Sequence, residues 1–441
     1  MMFETLKNAW KVQDIRKKLL YTLFIVVIFR LGSQIPVPFV DSEALRNYFE
    51  QASVSTTILG YFNLLSGDAF SRATLFALSI SPYITASIVM QLLTVAIPAL
   101  EKLQKSGPDG QKKIQNITRY LTIGLSLILS YGYYKTINAS DFVMNSNWFA
   151  CIVIIASFTA GACIIMWLGE RIDERGIGNG ISIILFANIL ARGPTIIAVA
   201  WNYVYNYGIK NKEYLFILWV LLAFAFMLAV IWFIVFFTNA ERRLPVQYAK
   251  RQVGRRIYGG NNTHLPIKLN MTGVMPIIFA QSIVAIPSTL ALVVTSWSSG
   301  INDWFSANSK FPLYAISYFF LIIGFAYFYS SISFNPLEVA SNLQKNGGTI
   351  LGHRPGKPTA DYIRKTLSRV TLIDAIFQSF IAIFPILIVM IRAWTNTSAS
   401  YIFSQLAFGG TSLLIIVGVA LETTRELEAQ ITMRHYKGFL E

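Results

Sequence analysis

The sequence predicts an all-α membrane protein: ten transmembrane helices in two inverted, pseudo-symmetric halves of five, with a short helical stub ahead of the second span. Three observations carry this reading. Of 441 residues, 54% are hydrophobic and only 13% charged, against roughly 25% charged in a soluble domain. The apolar residues fall in blocks close to the ~20 residues that a helix needs to cross a bilayer. The basic residues collect in alternate connecting segments, as the positive-inside rule requires.

In chain order the spans are expected at 19–36, 73–97, 117–136, 150–169, 177–195, 214–238, 271–294, 312–332, 371–391 and 406–424. Lys7, Lys11, Arg16, Lys17 and Lys18 precede the first. They mimic the start of a signal peptide, but the apolar run continues past Arg30 to Ile35 with no small-x-small site after it. A first span with a cytoplasmic N-terminus is therefore expected. Segments 1–18, 98–119, 170–176, 239–270, 333–370 and 425–441 hold most of the Lys and Arg, and the alternate segments are poor in them. Both termini are thus expected on the cytoplasmic side.

The expected organisation follows from these spans. It comprises an N-terminal segment 1–18, a first half 19–195 with the stub 59–72, and an external hinge loop 196–213. A second half 214–424, with cytoplasmic loops 239–270 and 333–370, and a tail 425–441 complete it. The stub, Leu59 to Arg72, is too short and too polar to cross. Backbone of that kind has to lie inside protein or against a water-filled cavity. The second span carries Pro82 and the polar residues Ser79, Ser81, Thr85, Ser87 and Gln91. In the second half the matching span carries Gly273, Pro276 and Pro287. Interrupted helices at matching positions point to an inverted repeat with its working site at the midline.

Several function classes are disfavoured. Arg30 and Arg192 fall near outer span ends, where their side chains are expected to snorkel. Asp374 and Glu422 fall near cytoplasmic ends, and no Asp, Glu, Lys or His lies mid-span. Ion-coupled carriers need such a group, and an intramembrane enzyme needs a base beside its nucleophile. Cys151 and Cys163 share one apolar run and read as packing residues. The three histidines lie in polar segments away from any metal-ligand spacing. No phosphate-binding G-x-x-x-x-G-K-[ST] is present. No enzymatic activity and no cofactor are expected, so energy has to come from a partner or the membrane potential.

The net charge is +15. Much of it lies in two long loops. The first carries Arg242, Arg243, Lys250, Arg251, Arg255, Arg256 and Lys268. The second carries Lys345, Arg354, Lys357, Arg364, Lys365 and Arg369. Both show β or turn character, at Arg255 to Gly260 and Gly352 to Gly356. They make a platform for an anionic partner, either RNA or an acidic protein surface.

Motifs in order along the chain carry a resemblance. They include Phe29-Arg30-Leu31-Gly32, Leu64-Leu65-Ser66-Gly67, Phe70-Ser71-Arg72, Pro82-Tyr83-Ile84 and Gln91-Leu92-Leu93-Thr94. Trp167-Leu168-Gly169-Glu170, Glu174 to Gly180, Tyr248-Ala249-Lys250-Arg251, His264-Leu265-Pro266, Arg354-Pro355-Gly356 and Phe408 to Ser412 follow. Over nearly its whole length the chain resembles the SecY/Sec61-alpha family, the central pore subunits of Sec protein translocases.

The resemblance implies a protein-conducting channel in the bacterial plasma membrane. Such a channel passes unfolded secretory polypeptides and releases signal sequences and transmembrane helices sideways into the lipid bilayer. It assigns the stub to a plug, with Gly60, Phe62, Asn63, Leu64, Ser66, Gly67, Phe70 and Ser71. It places a constriction ring on Ile80, Ile84, Ile181, Leu185, Ile278 and Ile415, with Leu185 replacing the isoleucine common at that position. Ile80 and Ile84 share a helix face, as do Ile181 and Leu185. A lateral gate falls at Thr85, Gln91 and Ile286, with Asn179 nearby; hydrogen bonds from Gln91 and Asn179 are expected to hold it shut. Arg255, Arg256, Arg354, Pro355 and Gly356 are the expected contacts for the SecA motor ATPase or the ribosome. Small SecE- and SecG-type membrane subunits are implied as partners.

Overall fold

The computed structural model describes residues 7, 9–50, 63, 66–144, 146–205, 214–248, 251–253, 256–258, 262–293, 313–395 and 409–437. In the first half the helices are α1 (Gln13–Gly32), α2 (Ser42–Glu50), α3 (Ser81–Ala96) and α4 (Pro98–Lys105). They are followed by α5 (Pro108–Ala139), α6 (Trp148–Arg175), α7 (Gly180–Ala191) and α8 (Gly193–Tyr203). The second half has α9 (Tyr214–Asn239), α10 (Met275–Val293), α11 (Leu313–Ser333), α12 (Pro336–Lys345), α13 (Lys357–Thr395) and α14 (Gly409–Lys437). Each expected span falls on one of these helices, and several run well beyond it. By length and apolar content, four are able to cross a bilayer alone, or five if α3 and α4, bent by 102°, count as one. α7 and α10 are apolar but shorter, and α5 carries polar residues that are buried against its neighbours. On α5, Thr118, Thr122, Ser126 and Ser130 form a buried stripe, and Ser130 lies 3.1 Å from Thr159 of α6.

Three expectations about the spans change. The second span was expected from residue 73, but its helix begins only at Ser81, and residues 67–80 form a chain of turns. The left-handed backbone at Ala73 and Ser79 prevents a helix there. Pro82 and Pro276 lie in the first turns of α3 and α10. A first-turn N–H has no helical partner to lose, so both prolines start their helices; Pro287 of α10 is interior, as is Pro385 of α13. The fifth span breaks at Arg192 and continues as α8 to Tyr203, shortening the expected hinge loop.

One large apolar core draws on both halves, from Ile25 and Ile84 through Ile184 to Ile278, Ile322 and Ile415. The halves meet along two seams. α10 packs on α3 and α5 along one, and α14 packs on α7 along the other. A second core lies around Phe49, Phe70, Tyr133 and Phe158.

The two basic loops fold together. β1 (Glu241–Tyr248) pairs antiparallel with β4 (Asn262–Lys268) from its own loop and with β5 (Gly348–Ile350) from the other. Leu244, Val246, Ile267, Ile350, Ile363 and Leu367 bury the inner face. A short hairpin, β2 (Arg251–Val253) with β3 (Arg256–Tyr258), extends the first loop.

α6 touches the turn segment at Gly161, where an added Cβ would lie 1.8 Å from Leu75 O. Gly161→Ala is therefore expected to destabilise the purified chain by about 1–3 kcal/mol, the usual range for overpacking. Gly124→Ala, in open space within α5, is expected to be neutral or stabilising by about 0.4–1 kcal/mol. Thermal unfolding in detergent measures both.

Candidate functional site

The six aliphatic residues assigned to a ring come together. Ile80 is the last residue before α3 and Ile84 lies in its first turns. Ile181 and Leu185 are one turn apart on α7, Ile278 is on α10 and Ile415 on α14. All six belong to the central apolar core, five of them buried and Ile181 half-buried against it. Two helices from each half thus supply the cluster. Such side chains offer a permeating group no hydrogen bond, and water gains little by entering among them.

Directly before Ile80 lies the turn segment, part of the stub expected to act as a plug. Gly60, Phe62 and Leu64 lie outside the described residues. Asn63 and Ser66 are helical, and the helix ends where Gly67 and Asp68 adopt left-handed φ values of 63° and 70°. Side chains satisfy the backbone that no helix pairs. Asn63 Oδ1 accepts from Ser71 N at 2.9 Å, and its Nδ2 donates to Asp68 Oδ1 at 3.1 Å. Ser66 Oγ accepts from Phe70 N at 2.9 Å and donates to Asn63 O at 3.1 Å. Tyr133 donates its hydroxyl to Phe70 O and stacks on the Phe70 ring with centroids 4.0 Å apart.

Two arginines hold this turn from opposite sides. Arg30 Nη1 of α1 donates to Gly67 O at 3.2 Å. Arg192 Nε, just after α7, pairs with Asp68 Oδ1 at 3.2 Å. Both were expected to snorkel outward; the free carbonyl and carboxylate of the turn draw them inward instead. Gly67 also packs against α7, where a Cβ would lie 2.9 Å from Asn188 O. Asn188 Nδ2 in turn donates to Ser79 Oγ at 3.1 Å.

Along the α3–α10–α11 seam, Gln91 makes a hydrogen bond between helices. Its Oε1 accepts a hydrogen bond from the Tyr329 hydroxyl of α11, and its Nε2 donates to Ser87 at 3.2 Å. The Tyr329 ring packs on Phe279 of α10, centroids 5.0 Å apart. Asn179 differs from expectation: its side chain accepts from Ser182 N at 3.2 Å and caps α7. An asparagine just before a helix satisfies an orphan N–H, and that local bond engages its carbonyl. Thr85 donates to Ser81 O in its own helix, at 3.1 Å. Ile286 is half-buried on α10.

On the sheet, Arg354 and Pro355 are exposed at the turn after β5. Gly356 adopts φ 97°, and Thr359 Oγ1 donates to Arg354 O at 2.7 Å, fixing the turn. His353 stacks on Tyr362, with centroids 4.1 Å apart. Arg256 lies in β3, and Arg255 falls outside the described residues. Burial, together with nearby Arg425, pushes the Lys268 ammonium down from its ordinary pKa.

A buried aliphatic cluster drawn from both helical halves, next to a turn pinned by side chains, fits a polytopic membrane protein. The family match is direct. The SecY family profile matches residues 74–424, and the chain belongs to that family. The protein translocase subunit SecY of Streptomyces galbus is 42% identical over 456 residues, covering 100% of both chains. The Mycobacterium bovis counterpart is 39% identical over 462 residues, again with 100% of each covered. A structure described as that of a protein conducting channel superposes with a TM-score of 0.66 at 18% identity, covering 94% of this chain and 92% of that one. Sec61 from a canine ribosome-channel complex gives 0.63 at 18% identity, with the same coverage. The chain is accordingly a protein-translocase channel subunit, a multi-pass membrane transporter.

Sequence reasoning missed Asp68, Tyr133 and Tyr329 and misplaced Arg30 and Arg192. Asp68, the one acid of a stub whose other charge is Arg72, with two further arginines at nearby span ends, was the available signal. Arg192→Gln removes a partly exposed ion pair worth about 0.2–1 kcal/mol. Amide exchange at residues 66–72 is expected to rise by up to about fivefold, measured by hydrogen–deuterium exchange, with α13 unchanged.

Proposed function

We propose that unfolded secretory polypeptides cross the bacterial plasma membrane through the ring of Ile80, Ile84, Ile181, Leu185, Ile278 and Ile415. In this reading the turn 66–72 is the plug that closes it. The observation that carries the proposal is the convergence of the six residues from four helices in one core, with a buried, non-helical segment leading directly into Ile80. A polypeptide in transit presents backbone groups and charges that hydrocarbon penalises by several kcal/mol each. An apolar collar with water on both sides avoids that penalty while gripping no particular sequence. When empty it resists wetting and limits ion flow. Arg30 and Arg192 hold the plug seated until the chain displaces it.

Signal sequences leave for lipid along the seam at Gln91 and Tyr329. A hydrogen bond between helices in a membrane contributes about 0.6 to 2 kcal/mol, little enough for an arriving apolar helix to displace. SecA or the ribosome docks on the basic sheet, where Arg354 is presented at a fixed tip. Both termini face the cytoplasm, and SecE- and SecG-type subunits cover lipid-facing helices.

The direct test is reconstitution in vesicles with SecE- and SecG-type subunits, SecA and ATP. Protease protection of a secretory precursor is expected; failure with an active motor would overturn the reading. Tyr329→Phe is expected to raise transport of precursors with weakened signal sequences about threefold or more, the equivalent of losing about 0.6 kcal/mol. Gln91→Leu should do the same, and the double variant should add little. Arg354→Glu is expected to leave the complex assembled while abolishing stimulation of SecA ATPase by the channel.

A further inference from the structure

Where the start of α10 meets α13 and α14 lies a polar cluster that ring, plug, seam and sheet do not use. Asp374 and Gln378, one turn apart on α13, are each 1% exposed. Gln378 Nε2 donates to Asp374 Oδ2 at 3.0 Å and to Gly273 O at 3.1 Å. Thr272 Oγ1 donates to the same Oδ2 at 3.3 Å. These acceptors fix the amide's orientation, since a flipped amide would set its oxygen against two others. Two buried acceptors then have no donor: Asp374 Oδ1 and Gln378 Oε1.

No positive charge among the described residues answers Asp374. On its own helix the nearest basic residue toward the sheet is Arg369, which is exposed. Residues 271–284, leading into and through most of α10, contain no titratable side chain. From α14, Glu422 approaches Gly273, its Oε2 4.0 Å from the site of an added Cβ. Arg425 of α14 turns to α9, donating to Thr238 O at 2.7 Å and Asn239 Oδ1 at 3.1 Å. Tyr327 of α11 donates to Ser368 O at 3.2 Å, and α9 contributes Phe233 and Phe237 against Phe377. A buried carboxylate with only a carboxylate for a charged neighbour is strongly disfavoured.

We infer that Asp374 is a neutral carboxylic acid in the folded channel and forms a closed acid–amide pair with Gln378. Its Oδ1–H donates to Gln378 Oε1 while Gln378 Nε2–H donates to Asp374 Oδ2. A single proton answers both orphaned oxygens. The pair fastens the first turn of α10, through Gly273 O and Thr272, to α13 without burying net charge. Because α10 carries Ile278, the pair is a positioning device for one wall of the ring. The inference stands on these contacts and does not depend on what the channel carries.

The test compares the full-length chain with Asp374→Asn in detergent micelles by infrared difference spectroscopy at neutral pH. The expected result is a protonated-carboxyl C=O band in the wild type that the variant lacks, with no difference in the carboxylate bands. An Asn side chain keeps the same pairing, with its Nδ2 donating to Gln378 Oε1, so the variant should fold. A group that keeps its proton folded and loses it unfolded makes stability fall as pH rises. Melting temperatures should therefore converge as the pH is lowered into the ordinary carboxylate range. They should diverge in favour of Asp374→Asn as it is raised. Carboxylate bands in the wild type at neutral pH would overturn the inference. So would a wild-type melting temperature that rises with sodium or potassium while the variant's does not, since a bound cation would then fill the gap. Should the variant fail to fold, the C=O band is sought in wild type carrying carboxyl-labelled aspartate, and absence of an isotope-shifted band is equally decisive.

Discussion

Inside a bilayer, any backbone group that no helix pairs has to be enclosed by protein, and residues 67–80 are where this constraint shapes the channel. They are apolar enough to be mistaken for the start of a span, yet they turn repeatedly. Every neighbouring element supplies something to them. Ile35 O accepts from Leu75 N at 2.9 Å, and Val37 N donates to Ala73 O at 3.0 Å. α5 supplies Tyr133, α6 leaves room at Gly161, and α7 brings Asn188. The first half is in this sense a container built around one irregular strip of chain.

The second half contains little comparable. It supplies Ile278 of α10 and Ile415 of α14 to the aliphatic cluster and carries the basic sheet. Its contacts with the first half are of two kinds. The α7–α14 seam carries two ring-bearing helices in contact. The opposite seam includes the polar pairing of Gln91 with Tyr329. Apolar packing is non-directional and hard to undo in part, whereas one hydrogen bond is made or broken as a unit.

Much of this was legible in the sequence. Block length and charge alternation located the apolar helices, and ordered motifs picked out six aliphatic residues that the structure gathers into one core. What was illegible has physical causes. Residues 73–80 are apolar because protein encloses them, and enclosure by protein asks for the same residues as exposure to lipid. Left-handed φ at Ala73 and Ser79 is imposed by surroundings, with no glycine to announce it. Asn179 was read as a gate residue because polarity marks bonding capacity but not direction, and a helix start lay within its reach. Tyr329 was passed over because tyrosine at the edge of a span reads as an interfacial anchor, while its hydroxyl faces a glutamine on another helix.

The strand pairing between the two basic loops also matters for mechanics. β5 leads through the Arg354 turn directly into α13, a single helix of 39 residues, about 58 Å at 1.5 Å per residue. A load applied at that turn is resisted backward by the ladder onto β1 and passes forward into α13, whose interior proline, Pro385, lies well down the helix. Whatever pushes on the tip thereby shifts a lever whose far arm lies among the helices.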